Sequence, residues 1–220
     1  MPDVELFSDA SAEPAVRGAL HRAEKPNGNG LVLSHGAGSN AQAPLLVALA
    51  EAFADAGFVV LRCDLPFRQT KLSGMPGRGD AARDRQGLKN AVAALRKVAP
   101  GRIYLGGHSY GGRQSTMLCA EEPDVAEGLL LLSYPLHPPR KPEQLRIQHL
   151  PNLHTPALFV EGTRDPFGTV EEIEKAIGLI PAKTRLLTVE GAGHDLGFKG
   201  KMGGKALAEM VRAAFMEFFS

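Results

Sequence analysis

The stretch Gly107-His-Ser-Tyr-Gly111 lies between an apolar run of strand length, Arg102-Ile-Tyr-Leu-Gly106, and a helix-compatible stretch, Gly112 to Glu122, that stops at Pro123. A serine centred between two glycines, where a strand passes directly into a helix, is held in a strained backbone conformation. Any side chain two residues before or after it would collide with the flanking elements, so both positions require glycine. Such a turn pushes the Ser109 hydroxyl out at the carboxyl end of the strand and at the positive end of the helix that follows. The pentapeptide alone is also compatible with a glycine-rich turn carrying an incidental serine. The rest of the chain decides between these readings.

The 220 residues suffice for one sizeable core, so a single domain over 1–220 is expected. A hydrophobic share of 44% with 22% charged residues is that of an ordinary globular protein and argues against disorder. A net charge of +1 gives no reason to expect nucleic acid or an anionic membrane surface as partner. No apolar run approaches the roughly 20 residues needed to span a bilayer. The start, Met-Pro-Asp-Val-Glu-Leu, lacks the basic and apolar regions of a secretory signal, and a cytoplasmic location is expected. Cys63 and Cys119 show no metal or redox spacing and read as buried thiols, with one disulfide left open.

Val4 to Ser8 and Val16 to Arg22 read as an antiparallel edge hairpin within residues 1–30. Leu31 to Ser34, Phe58 to Cys63 and Gly128 to Ser133 read as buried strands, and Pro156 to Glu161 and Arg185 to Val189 as the last two strands. Helices are expected through Leu45 to Phe53, ending at Gly57; over Asp80 to Val98; after Thr169, which with Glu172 forms a capping box; and through Leu207 to Phe218. Leu65 to Gly79 reads as a long loop. The proline-rich residues Tyr134 to Thr155 form an excursion too short for more than one short helix. Strands alternating with helices imply an α/β fold, with a mostly parallel sheet covered on both faces and right-handed crossovers. In such sheets the working residues collect at the carboxyl ends of the strands.

A serine hydroxyl needs a base, and that base needs an acceptor to fix its tautomer. His194, in Gly191-Ala-Gly-His-Asp195 after the last strand, is the candidate base. Asp165, in Gly162-Thr-Arg-Asp-Pro166 after the preceding strand, is the candidate acid, with Asp64 as an alternative. Asp195 adjoins the histidine and points away from the ring it would have to orient. Developing charge on an acyl oxygen needs two donors: the backbone N–H of Tyr110, and one from His35-Gly-Ala-Gly38, where Ala37 is the candidate. Pocket candidates are His35, Gly36, Arg68, His108 and Arg113, while Arg68, Lys71 and Arg78 could meet an anionic substrate or be merely solvated. Gly36 to Ala41 also matches G-x-G-x-x-A, with Asp64 where a ribose-binding acid would lie, so a dinucleotide-binding reading stands as a rival. No spacing suggests a metal site, and no cofactor is expected.

With the serine elbow, the His35 loop, the Asp165 turn and the His194 loop together, the chain resembles small lidless members of the α/β-hydrolase superfamily. It is most similar to the dienelactone-hydrolase-like group and to predicted hydrolases related to the nonspecific-lethal complex subunit 3 and testis-expressed proteins. The resemblance runs from Leu31 onward and includes the chain order Ser, Asp, His. It implies Ser109 as nucleophile, His194 as base and Asp165 as orienting acid, with 134–155 standing where a lid would be inserted. The dienelactone hydrolases proper carry cysteine where this chain has Ser109, so their substrate is not carried over. Some relatives in the second group are thought to act through protein contacts. The expected activity is therefore a serine hydrolase for a small ester or thioester, with an interaction module bearing a vestigial triad as the alternative.

Overall fold

Strands that are apolar at consecutive positions need cover on both faces, and the chain supplies it. The computed structural model describes residues 3–77, 79–198 and 203–220. Among these, eight strands make one sheet: β1 (Asp3–Asp9), β2 (Val16–Arg22), β3 (Gly30–Ser34), β4 (Val59–Cys63), β5 (Ile103–His108), β6 (Gly128–Leu132), β7 (Ala157–Gly162) and β8 (Thr184–Val189). Their order is β1-β2-β4-β3-β5-β6-β7-β8. β1 and β2 form the antiparallel edge hairpin, and β2 joins the sheet antiparallel to β4. Every other pairing is parallel. The helices are α1 (Pro44–Asp55), α2 (Pro66–Thr70), α3 (Asp80–Arg96), α4 (Tyr110–Glu121), α5 (Val170–Ile177) and α6 (Gly204–Phe219). None of the described helices is long and apolar enough to cross a membrane.

Alternate strand residues feed two cores, because successive side chains leave a strand on opposite faces. Leu31 and Leu33 of β3 pack with Leu46 and Phe53 of α1 and with Val211 and Phe215 of α6. Val32, between them, packs on the other side with Leu88 and Leu95 of α3, Leu118 of α4 and Ile173 of α5. Phe53, Phe58, Tyr104 and Phe215 meet edge to face beneath α1 and α6. Cys63 and Cys119 are free buried thiols, each pushed up to about 12 chiefly by burial.

Two elements depart from the sequence reading. The stretch taken as a loop from Leu65 contains α2, started by Pro66 at a first-turn position and tied to α3 by the Phe67 N–H donating to Asp84 Oδ1 at 3.0 Å. Five residues are too few to show a helical period. The helix expected from Gly112 starts at Tyr110, directly after the serine. Residues 134–155 hold only a 3-10 turn, Leu150–Asn152, so no lid is inserted. Because β3 lies between β4 and β5, the chain leaves it toward one side and later returns on the other, and that reversal opens a crevice at the carboxyl edge of the sheet.

Candidate active site

Ser109 has φ 52° and ψ −115°, a conformation that costs a non-glycine residue on the order of 1–3 kcal/mol. Its N–H donates to the Leu132 carbonyl at 2.8 Å, and its own carbonyl accepts from Arg113 N–H at 2.9 Å. The flanking glycines are sterically required. A Cβ on Gly111 would lie 2.5 Å from Ser34 Oγ and 2.7 Å from the His35 carbonyl, and one on Gly107 would run into Ser34 as well. The Tyr110 hydroxyl donates to Asp84 Oδ2 at 2.7 Å, fastening the start of α4 to α3.

The structure brings the three separated residues together in one hydrogen-bonded line. Ser109 Oγ lies 2.8 Å from His194 Nε2, and His194 Nδ1 lies 2.7 Å from Asp165 Oδ2. An ionised carboxylate only accepts, so Nδ1 carries the proton and Nε2 is free to take one from the serine. The Asp165 side chain is 1% exposed, and its Oδ1 accepts the Phe167 N–H at 2.8 Å. The Phe167 ring stacks on His194 with centroids 4.1 Å apart. From the other side His108 Nε2 donates to the His194 carbonyl at 2.7 Å. Burial pushes His108 down to about 4, so its ring is neutral at pH 7. His194 is thus held from two other strand ends, by Asp165 and Phe167 after β7 and by His108 and Ser109 at the end of β5.

Beside the serine, Gly36, Ala37, Gly38 and Ser39 form one wall of a cavity of about 530 Å³ that also reaches Tyr110, His108, Arg113 and His194. Among the described residues no acceptor takes the N–H of Ala37 or of Tyr110. Two of the expected pocket residues lie elsewhere. His35 is fully buried behind the loop, its Nδ1 donating to the Gly36 carbonyl at 2.8 Å and its Nε2 accepting from Leu65 N–H at 3.1 Å. It borders a separate cavity of about 160 Å³ against Leu46 and Phe198. Arg68 turns its guanidinium onto backbone, donating to the carbonyls of Ser39 (2.7 Å), Ala37 (2.9 Å), Lys71 (3.0 Å) and Gly74 (2.8 Å). Lys71 pairs with Asp80 at 3.1 Å, and Arg78 lies outside the described residues.

Met75, Pro76, Pro135, Arg146 and Phe167 complete the cavity and were not singled out from the sequence. Only Phe167, directly after the Asp165-Pro166 turn, carried a local signal. Asp64 is not the acid: its Oδ1 accepts the Ala41 N–H at 2.7 Å. That contact also turns one oxygen of the residue expected to hold a ribose onto the Ala41 backbone. In addition α1 starts at Pro44, beyond the Gly36–Ala41 match, so those glycines do not open a helix onto a pyrophosphate.

A doubly covered, mostly parallel sheet with an elbow serine after β5, an aspartate after β7 and a histidine after β8 defines a serine-hydrolase-like protein of the α/β-hydrolase fold. A family model described as an alpha/beta hydrolase domain matches residues 27–218, and the chain belongs to that family. Among solved structures it is similar to a dienelactone hydrolase from Anabaena variabilis ATCC 29413, at 22% identity over 98% of both chains with a TM-score of 0.77. It is similar to Est1E from Butyrivibrio proteoclasticus, at 16% identity over 98% of both chains with a TM-score of 0.72. A serine hydrolase without a lid from Xanthomonas campestris matches at 11% identity over 98% of this chain and 95% of its own, with a TM-score of 0.72. At these identities the likeness is one of fold.

Proposed function

We propose that the protein is a single-domain cytoplasmic serine hydrolase that cleaves small esters or thioesters through an acyl-enzyme. The observation that carries this reading is the unbroken line Ser109–His194–Asp165 opening onto a cavity. In the first half-reaction Ser109 Oγ attacks the substrate carbonyl as its proton passes to His194 Nε2. Asp165 accepts from Nδ1–H throughout and stabilises the imidazolium. The negative oxygen is met by the N–H groups of Ala37 and Tyr110, donors that contribute most when charge develops on that atom. His194 then protonates the departing alcohol or thiol, leaving Ser109 acylated. His194 then takes a proton from water as it attacks the acyl carbon, and gives it to Ser109 Oγ as the acyl C–Oγ bond breaks, releasing the acid and restoring the serine.

The lidless cavity favours short acyl or small aromatic acids over long lipid chains. The Est1E relative has a solved structure with bound ferulic acid, a small aromatic acid, which supports that size class. Two free buried thiols fit a reducing compartment.

A fluorophosphonate probe tests the reading. The wild type should be labelled and Ser109→Ala should not. Absence of labelling in the wild type, or equal labelling of the variant, would overturn it and leave an interaction module with a vestigial triad. 4-Nitrophenyl esters of increasing chain length would then place the substrate, with turnover expected to fall beyond short chains.

A further inference from the structure

Two arginines that the proposed chemistry does not use line the Ser109 cavity. Arg113 projects from the first turn of α4, four residues after Ser109, and Arg146 comes from the excursion that replaces a lid. The Arg113 Nε is buried and has no hydrogen-bond partner among the described residues. Arg146 makes one side-chain bond, Nη1 to the Pro135 carbonyl at 3.0 Å. Its backbone is pinned on both sides, the N–H donating to the Leu136 carbonyl and the C=O accepting from the Tyr134 hydroxyl, each at 2.8 Å. Arg146 is therefore held at the cavity wall.

No carboxylate neutralises the pair. Asp165 is engaged by His194 and the Phe167 N–H. Glu161 is fully buried, accepts the Tyr134 N–H at 2.6 Å and is raised well above the usual carboxylate range by burial. Asp84 accepts from Phe67 N–H and the Tyr110 hydroxyl. Arg85, the next cation outward, has its own partner in Glu121. The residues outside the described set include no aspartate or glutamate. Arg113 and Arg146 also oppose each other: burial first, and then the charge of Arg113, lowers Arg146. Two cations lining one partly desolvated cavity are unfavourable until an anion enters it. Of the loop cations that the sequence offered for this role, two lie among the described residues and both are spent, Arg68 on four carbonyls and Lys71 on Asp80.

We infer that Arg113 and Arg146 form an anion subsite beside Ser109, and that the preferred substrate is an ester or thioester bearing a second, ionised oxyacid group, a carboxylate or a phosphate. The inference rests on the proposed hydrolase reading for the position of the scissile carbonyl. The planar forks of the two arginines match either oxyanion with paired N–H donors. The acyl group is thereby oriented by a charge at one end while its carbonyl meets Ser109 at the other.

The kinetic test compares the mono-4-nitrophenyl ester of adipic acid with 4-nitrophenyl hexanoate, which has the same chain length and no charge. Wild type should favour the charged ester in kcat/KM by about tenfold to a hundredfold, the range set by charge-assisted hydrogen bonds. Arg113→Gln and Arg146→Gln, on different elements, should each pull that ratio toward one. Equal rates in the wild type, or a preference that survives both substitutions, would overturn the subsite while leaving the hydrolase reading intact. A binding arm is independent of turnover: calorimetry of monomethyl adipate and of butyl phosphate with Ser109→Ala, repeated with Arg113→Gln or Arg146→Gln added. Binding of either anion that is lost with either arginine supports the subsite and tells carboxylate from phosphate. Binding of neither would overturn it. Failed fluorophosphonate labelling with anion binding retained would remove the hydrolase reading and keep the subsite.

Discussion

Replacing Arg68 by glutamine separates what holds the Ala37 loop from what holds the fold. Arg68 is 6% exposed and donates four hydrogen bonds to carbonyls. At about 1.5–3 kcal/mol for each bond from a charged donor, the gross loss would be roughly 6–12 kcal/mol. Lys71 and Gly74 are exposed, and their carbonyls rehydrate when the arginine is gone. The bonds to the half-buried Ala37 and Ser39 then dominate, at about 3–6 kcal/mol, against which the released side chain regains roughly 1.5–2 kcal/mol of rotamer entropy. The expected net destabilisation is about 1–4.5 kcal/mol, read as a lower urea midpoint with unchanged slope. Activity should fall separately. Loss of a whole oxyanion donor costs about 10²–10³ in kcat, and a loop loosened but still present should cost about tenfold to a hundredfold, with little change in KM. Arg68→Lys, which keeps the charge but cannot fork to several carbonyls, should fall between the two. The assay is kcat and KM on a short 4-nitrophenyl ester at a temperature where all three proteins are folded. A glutamine variant with the expected stability loss and kcat within twofold of wild type would refute the reasoning, because the Ala37 N–H would then not be placed by Arg68 or not be a donor.

Asp165→Asn should lower kcat by about 10⁴ with KM changed only a few-fold, since the amide favours the wrong His194 tautomer; an intact kcat would remove Asp165 from the relay. Gly111→Ala places a methyl 2.5 Å from Ser34 Oγ and should cost about 1–3 kcal/mol and abolish fluorophosphonate labelling, so a stable, fully labelled variant would contradict the packing of the elbow. His21, His108 and His149 are each pushed down to about 4, chiefly by burial. The unfolded chain, with ordinary histidines near 6.5, binds more protons between those values, so stability is full above about pH 6.5 and falls as the pH drops toward 4. Each histidine contributes a limiting slope of roughly 1.4 kcal/mol per pH unit. Urea midpoints across that range should show a shallower dependence for His149→Gln than for the wild type, and equal slopes would contradict the neutral buried state of His149.

Where a residue's role was set by its immediate neighbours in the chain, it was legible before folding. The glycines around Ser109 are required by contacts that any strand-turn-helix elbow imposes, so the pentapeptide announced the turn. The strands announced themselves because β3, β5, β6 and β7 are apolar on consecutive residues, a pattern that demands cover on both faces. The capping box at Thr169 and Glu172 is likewise local, and the structure has it, with Glu172 N–H donating to Thr169 Oγ1 at 3.2 Å. Asp165 and His194 followed from the order of the elements, because a parallel sheet delivers the end of every strand to one edge.

What the chain by itself determined, then, is the alternation of buried strands and covering helices and the residues that stand at the strand ends. Only the tertiary structure decided which polar side chains at that edge face the cavity. Arg68 and His35 looked like pocket residues and were drawn into the backbone of the Ala37 loop, while Arg146 and Phe167 arrived from other loops to line the site. The physical reason is that a guanidinium or an imidazole goes to whichever acceptors the fold leaves unpaired within its reach. For these residues half of the partners lie tens of positions away in sequence: Arg68 donates to the Ala37 and Ser39 carbonyls, and His35 accepts from the Leu65 N–H. No local pattern encodes a meeting of that kind.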